Sequence, residues 1–128
     1  MIYGIGTDLV RIDRIAKMCK SYGGNAVAKK ILSRVEALEW PSATNPVTFL
    51  AKRFAAKEAF AKAVHTGLRS PVTLRHIGIG HNALGRPEFI LEKPLAQWIE
   101  EKNIGSIHLS LSDEDNHIIA FVVAEYAK

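Results

Sequence analysis

A single cysteine, Cys19, among 128 residues leaves no intrachain disulfide and no thiolate metal cluster. Its simplest role is that of a small, half-buried helix residue. No apolar stretch approaches the ~20 residues that a membrane-spanning helix needs. The opening Met1-Ile2-Tyr3-Gly4-Ile5-Gly6-Thr7-Asp8 carries no basic segment followed by an apolar run, so no signal peptide is read. Aromatic residues are few, ten in all, and none forms an exposed stacking pair on a glycine-bounded strand, which argues against an RNA-binding surface. Gly4-x-Gly6 lacks a third glycine and a Gly-Lys-Ser/Thr ending, so it is not a phosphate loop. Repeats and low-complexity tracts are also missing. These absences lead us to expect a soluble cytoplasmic protein engaged with neither membrane nor nucleic acid.

What is there is ordinary globular composition: 48% hydrophobic, 23% charged and a net charge of +4. At this length one domain, residues 1–128, suffices. Ile2 to Gly6 reads as a strand that another backbone approaches closely. Helical spacing then takes over from about Leu9 to Lys20, stopped by Tyr22-Gly23-Gly24. Asn25 and Ser33 are candidate caps for two short helices, and Pro41 to Pro46 is a loop. The longest helix is predicted from Thr48 to His65, stopping at Thr66-Gly67. A hairpin follows around Ile77 to Leu91, turning at Asn82 to Pro87, then a short helix from Leu95 to Lys102. Ile107 to Ser112 alternates strictly, Asp113 to Asn116 turns, and Ile118 to Tyr126 returns as an apolar strand. Interspersed helices and hairpins with few parallel crossovers predict an α+β fold with an antiparallel sheet and one long helix.

That long helix breaks its own pattern. At about 100° per residue, Phe49, Leu50, Phe54, Phe60, Ala61 and Val64 share one arc, yet Arg53 and Lys57 fall inside it. A buried unpaired cation costs several kcal/mol. Either these side chains snorkel to the rim or an anion meets them there. Glu58 and Lys62 occupy a second face with Ala51 and Ala55. Asp8 is the other oddity. It is either a helix N-terminal carboxylate that offsets the macrodipole or, with Glu58, half of a hard oxygen pair for Mg2+.

The same segments resemble the holo-acyl-carrier-protein synthase family, small phosphopantetheinyl transferases of fatty acid biosynthesis. The run Gly4-Ile5-Gly6-Thr7-Asp8-Leu9-Val10-Arg11-Ile12-Asp13-Arg14-Ile15 looks like its first signature. Phe54-Ala55-Ala56-Lys57-Glu58-Ala59-Phe60-Ala61-Lys62-Ala63 is similar to its second, Gly85-Arg86-Pro87 to its glycine-basic-proline turn, and Leu109-Ser110-Leu111-Ser112 to its last block. The resemblance implies transfer of 4′-phosphopantetheine from coenzyme A to a serine of acyl carrier protein, leaving adenosine 3′,5′-bisphosphate. It further implies Asp8 and Glu58 as Mg2+ ligands, with Lys62 beside them as the third catalytic residue. Arg53, Lys57, Lys62, His65, Thr66, Gly67, Pro87 and Ser112 are implied at the coenzyme A phosphates or nucleotide. The proton of the acceptor serine is expected to pass to a metal-held water or to Glu58. The family forms homotrimers with sites between protomers. Arg11, Arg14, Lys17 and Lys20 make a basic ridge suited to steering an acidic carrier protein.

The sequence departs from the family pattern at Asp113, where histidine is common, and at His65-Thr66-Gly67, which usually reads Gly-Thr-Gly. Two other readings use the same residues. The carboxylates and cations also suit a Mg2+-dependent nucleotide or pyrophosphate hydrolase, and the basic charge alone suits a small RNA-binding domain.

Overall fold

In the computed structural model, which describes residues 1–128, strand pairing claims the N-terminus well past the first glycines. Strand β1 (Ile2–Arg11) runs antiparallel to the C-terminal strand β5 (His117–Tyr126), with Asp8 opposite Ala120 and Arg11 opposite His117. Helix α1 (Ile12–Tyr22) starts only there. The expected switch to helix at Leu9 is therefore corrected. Gly4, Gly6 and Val10 are buried while Ile5, Thr7 and Leu9 are exposed, the two-residue period of a sheet covered on one side. Asp8 is a strand residue, and the acid in the first turn of α1 is Asp13.

Helix α2 (Gly24–Ile31) follows Gly23, and Asn25 lies inside it, accepting a hydrogen bond from Trp40 Nε1 rather than capping. Helix α3 (Arg34–Glu39) opens on a capping box in which Ser33 and Glu36 satisfy each other's backbone N–H groups, and a 3-10 turn (Trp40–Ser42) ends it. The long helix α4 (Pro46–Ala63) starts two residues earlier than expected, with Asn45 as cap and a proline in the first turn. It ends before His65, whose φ of 70° lies outside helical space.

Around α4 the sheet leaves almost no solvent. Ala51, Ala55, Ala59 and Ala63 are fully buried at four-residue spacing, alongside Leu50 and Phe60. A Cβ on Gly4 would collide with the Ala63 carbonyl oxygen, and one on Gly6 with that of Ala59. The small residues at both surfaces thus let the helix lie directly on β1. The close approach read from the glycines is met by this helix.

The hairpin β2 (Ile77–His81) and β3 (Pro87–Leu91) forms a separate two-stranded sheet, followed by α5 (Lys93–Glu101). Strand β4 (Ile104–Glu114) then pairs with β5, giving a three-stranded antiparallel sheet of order β1-β5-β4. Asp113 is in β4 rather than in the turn, which is made by Asp115 and Asn116 with positive φ. The α+β architecture with antiparallel pairing is as expected. No helix is long and apolar enough to cross a membrane.

Candidate active site

Strand alternation places Asp8 on the same face as Gly6 and Val10, so its side chain meets α4 rather than solvent. There Lys62 Nζ lies 3.2 Å from Asp8 Oδ1 and donates to the Thr7 carbonyl oxygen at 2.9 Å. Glu58, one helical turn before Lys62, is half-buried at the same edge. Burial, and next the Asp8 charge, push its carboxyl above the ordinary range, while Lys62 and Arg14 pull the other way. Two carboxylates thus share one edge with a single close ammonium. Their hard oxygen donors fit a magnesium ion, which takes one or two protein carboxylates and completes its shell with water and phosphate. No group of three or more His, Cys, Asp or Glu side chains suited to a metal is present in the protein, at this edge or away from it.

His65 extends this edge. Its Nε2 lies 3.0 Å from the Tyr3 carbonyl oxygen, which assigns that nitrogen as the donor, and its ring packs on Tyr3. His65 and Thr66 also border a hollow with Arg69, Pro71 and Trp98. Gly67 has φ 65°, which lets the chain turn away after α4.

Arg14 joins the ridge to this edge. Its guanidinium lies 5.4 Å from the Phe54 ring centroid. Lys17 and Lys20 continue along exposed positions of α1, whereas Arg11 closes β1 and makes a loose contact of 3.9 Å with Asp13. Arg11 thus stands exposed at the strand–helix junction, where the ridge begins.

The expected anion-binding pair Arg53 and Lys57 is otherwise engaged. Lys57 is fully buried, and its ammonium lies 2.6 Å from Glu36 Oε1 while donating to the carbonyl oxygens of Leu74 and Ile31. Burial lowers its pKa to about 8 against the opposing pull of Glu36. The counter-charge missing from the sequence pattern is Glu36, and Lys57 leaves the set of phosphate ligands. Arg53 divides its guanidinium. Nε faces Glu36 Oε2 at 3.3 Å, Nη2 faces Glu39 at 3.2 Å, and the plane stacks 3.7 Å from the Phe49 ring centroid. It still borders an open hollow with Asn45, Thr48, Lys52 and His81.

Pro87 and Ser112 line a different cleft of about 850 Å³ between the β2–β3 hairpin and β4, together with Lys52, His81, Arg86 and Asp113. Asp113 is paired there with Lys52 at 3.1 Å. Sequence reasoning missed Glu36, Lys52 and His81. The Ser33-x-x-Glu36 spacing of a capping box was the available signal for the first, while the other two carry no local signature. The residues expected around coenzyme A thus fall into two groups. Asp8 lies on β1 and Ser112 on β4, the two outer strands of one three-stranded sheet with β5 between them.

Comparison with known proteins places this arrangement. The family model for the 4′-phosphopantetheinyl transferase superfamily matches residues 4–122. The holo-[acyl-carrier-protein] synthase of Neisseria meningitidis serogroup A is 56% identical over 98% of this chain and 99% of its own length. The crystal structure of holo-[acyl-carrier-protein] synthase from Neisseria meningitidis superposes with a TM-score of 0.95 at 57% identity, covering 98% of this chain and 99% of that one. The Bacillus anthracis synthase, solved in complex with coenzyme A (3′,5′-ADP), gives 0.81 at 31% identity over 99% of both chains. The chain belongs to the 4′-phosphopantetheinyl transferase superfamily and is an enzyme, a phosphopantetheinyl transferase. Within that superfamily its kin are the holo-[acyl-carrier-protein] synthases.

Proposed function

We propose that this enzyme transfers 4′-phosphopantetheine from coenzyme A to a serine of apo acyl carrier protein, dependent on Mg2+, in the service of fatty acid synthesis. The observation that carries the reading is the Asp8–Glu58–Lys62 edge, two carboxylates and an ammonium gathered where β1 crosses α4. Asp8 and Glu58 would hold the ion, which supplies positive charge against the pyrophosphate oxygens. Lys62, more than half exposed beside Asp8, is free to follow the leaving phosphate and neutralise the charge that develops on it. In the transfer a bond forms between the serine oxygen and the phosphopantetheine phosphorus. The bond from that phosphorus to adenosine 3′,5′-bisphosphate breaks. The serine proton would pass to Glu58 or to a water beside it. Arg14 and the α1 ridge orient the acidic carrier towards this edge.

The assembly is read as a homotrimer with each site shared between two protomers. Two features support it. The uncovered sheet face carries Ile5, Leu9, Ile119 and Phe121, each more than two-fifths exposed, a patch that a monomer rarely leaves in water. The cleft of Pro87 and Ser112 and the edge of Asp8 and Glu58 also lie at the two outer strands of one sheet, where a neighbour's cleft can meet the first chain's edge. Light scattering on the purified protein reports the mass of the assembly. For the reaction, the protein is mixed with apo acyl carrier protein, coenzyme A and Mg2+, and the carrier is weighed by mass spectrometry. The carrier gains one phosphopantetheine if the reading holds. An unmodified carrier, with coenzyme A hydrolysed instead, would favour hydrolase chemistry at the same carboxylates.

A further inference from the structure

The buried carboxylate of Glu36 is the most heavily engaged side chain in the protein. Its Oε1 takes the Ser33 N–H at 2.8 Å and the Lys57 ammonium at 2.6 Å. Its Oε2 takes the Ile79 N–H at 3.2 Å and faces Arg53 Nε at 3.3 Å. One fully buried residue therefore ties the start of α3, the middle of α4 and strand β2 together. Such a carboxylate needs all of its partners, because each lone pair left empty at this depth is destabilising.

Arg53 is the partner that leads outward. Its Nε is buried and has no aligned hydrogen-bond acceptor, only the charge of Glu36. With Nε held inside and the plane stacked on Phe49, the Nη end faces the hollow bordered by Asn45, Thr48, Lys52 and His81. Lys52 and His81 also line the cleft of Pro87 and Ser112, so hollow and cleft adjoin at these two residues as a trough lined by Lys52, Arg53 and Arg86 together with the acids Glu39, Glu88 and Asp113. The acids facing the Arg53 guanidinium are Glu36 from within and Glu39 from the rim. Glu39 is half exposed and able to yield Nη2 to a bound anion, whereas Glu36 is enclosed and cannot move away.

We propose that Glu36 is a positioning residue for substrate binding. It fixes Arg53 so that the Nη end stays presented to the phosphorylated nucleotide end of coenzyme A in the trough. This inference rests on the coenzyme A reading above. It assigns Glu36 no contact with substrate and no part in the Asp8–Glu58 chemistry. Glu36 contacts Ser33, Arg53, Lys57 and Ile79 and none of Asp8, Glu58 or Lys62, so its loss is expected to separate binding from turnover.

The test is steady-state kinetics with calorimetric coenzyme A binding on Glu36→Gln, Arg53→Ala and the double variant. Glu36→Gln is expected to raise KM and Kd for coenzyme A about tenfold, the scale of one charge-assisted contact, with kcat at saturation within about twofold. KM for the carrier protein is expected to stay level. In the Arg53→Ala background Glu36→Gln should add nothing further to KM, because the two act through one contact. Should Glu36→Gln fold poorly, Glu36→Asp keeps the buried charge but draws the carboxylate back from Arg53 and should raise KM for coenzyme A in the same way. Equal losses in kcat and in both KM values, or additive effects with Arg53→Ala, would overturn the proposal and leave Glu36 a purely structural residue. Wild-type protein that transfers no phosphopantetheine at all would instead overturn the underlying reading.

Discussion

Two charged clusters sit on one helix, at adjacent residues, and behave in opposite ways. Lys57 points inward to Glu36, with every donor and acceptor matched and no solvent contact. Glu58 points to the β1 edge, where it meets the Asp8 carboxylate, with Lys62 and Arg14 opposing that repulsion. The Lys57–Glu36 pair is complete without a ligand. At the outer edge two carboxylates held side by side form an arrangement that a bound cation relieves. Accessible carboxylates gathered at one edge, rather than charge as such, mark the site.

Removing a carboxylate at the outer cluster should affect chemistry far more than folding. Asp8→Ala is expected to lower the transfer rate about 10²–10³-fold, the scale of losing one preorganised electrostatic contact. Its free energy of unfolding should fall by no more than about 1 kcal/mol, since the Lys62 partner it loses is more than half exposed. An Asp8→Ala protein with full turnover would break the comparison outright.

The inner cluster should show the reverse. Lys57→Ala leaves Glu36 charged and under-paired, for an expected loss of about 3–5 kcal/mol in denaturant unfolding. Stability unchanged in that variant would mean that the pair is not load-sharing in the fold. A third, smaller effect belongs to the ridge. Arg14→Glu is expected to raise the apparent KM for carrier protein about tenfold at low salt, with the difference shrinking as ionic strength rises.

The smallest effect separates an exposed pair from both clusters. His108 Nε2 lies 2.6 Å from Glu125, and this contact holds the Glu125 carboxyl below its ordinary range. A lowered folded-state pKa stabilises the fold above the unfolded value, and that stabilisation disappears as pH falls through the folded one. Thermal unfolding of His108→Ala and wild type should therefore differ slightly at near-neutral pH and converge at pH about 3.

Much of this was legible in the sequence, and the failures share a cause. The element order and the antiparallel pairing follow from periodicity, and Gly4 and Gly6 announced the close approach of α4. The extension of β1 through Arg11 did not, because its partner lies more than a hundred residues away at His117–Tyr126. Asp8 and Glu58 were picked out correctly as neighbours by resemblance, whereas spacing alone could not unite them. Lys57 was misplaced for the same reason in reverse. A helical wheel shows that a cation points inward, but not that Glu36, twenty-one residues earlier, is waiting for it. Sequence displays which charges are anomalous. Only the fold shows which of them are already answered.

The most direct measurement is calorimetric titration of Mg2+ into protein saturated with coenzyme A. Wild type and the Glu36→Gln variant are expected to bind the ion, while Asp8→Asn and Glu58→Gln lose most of that binding. Unchanged affinity in the two carboxylate variants would contradict the account.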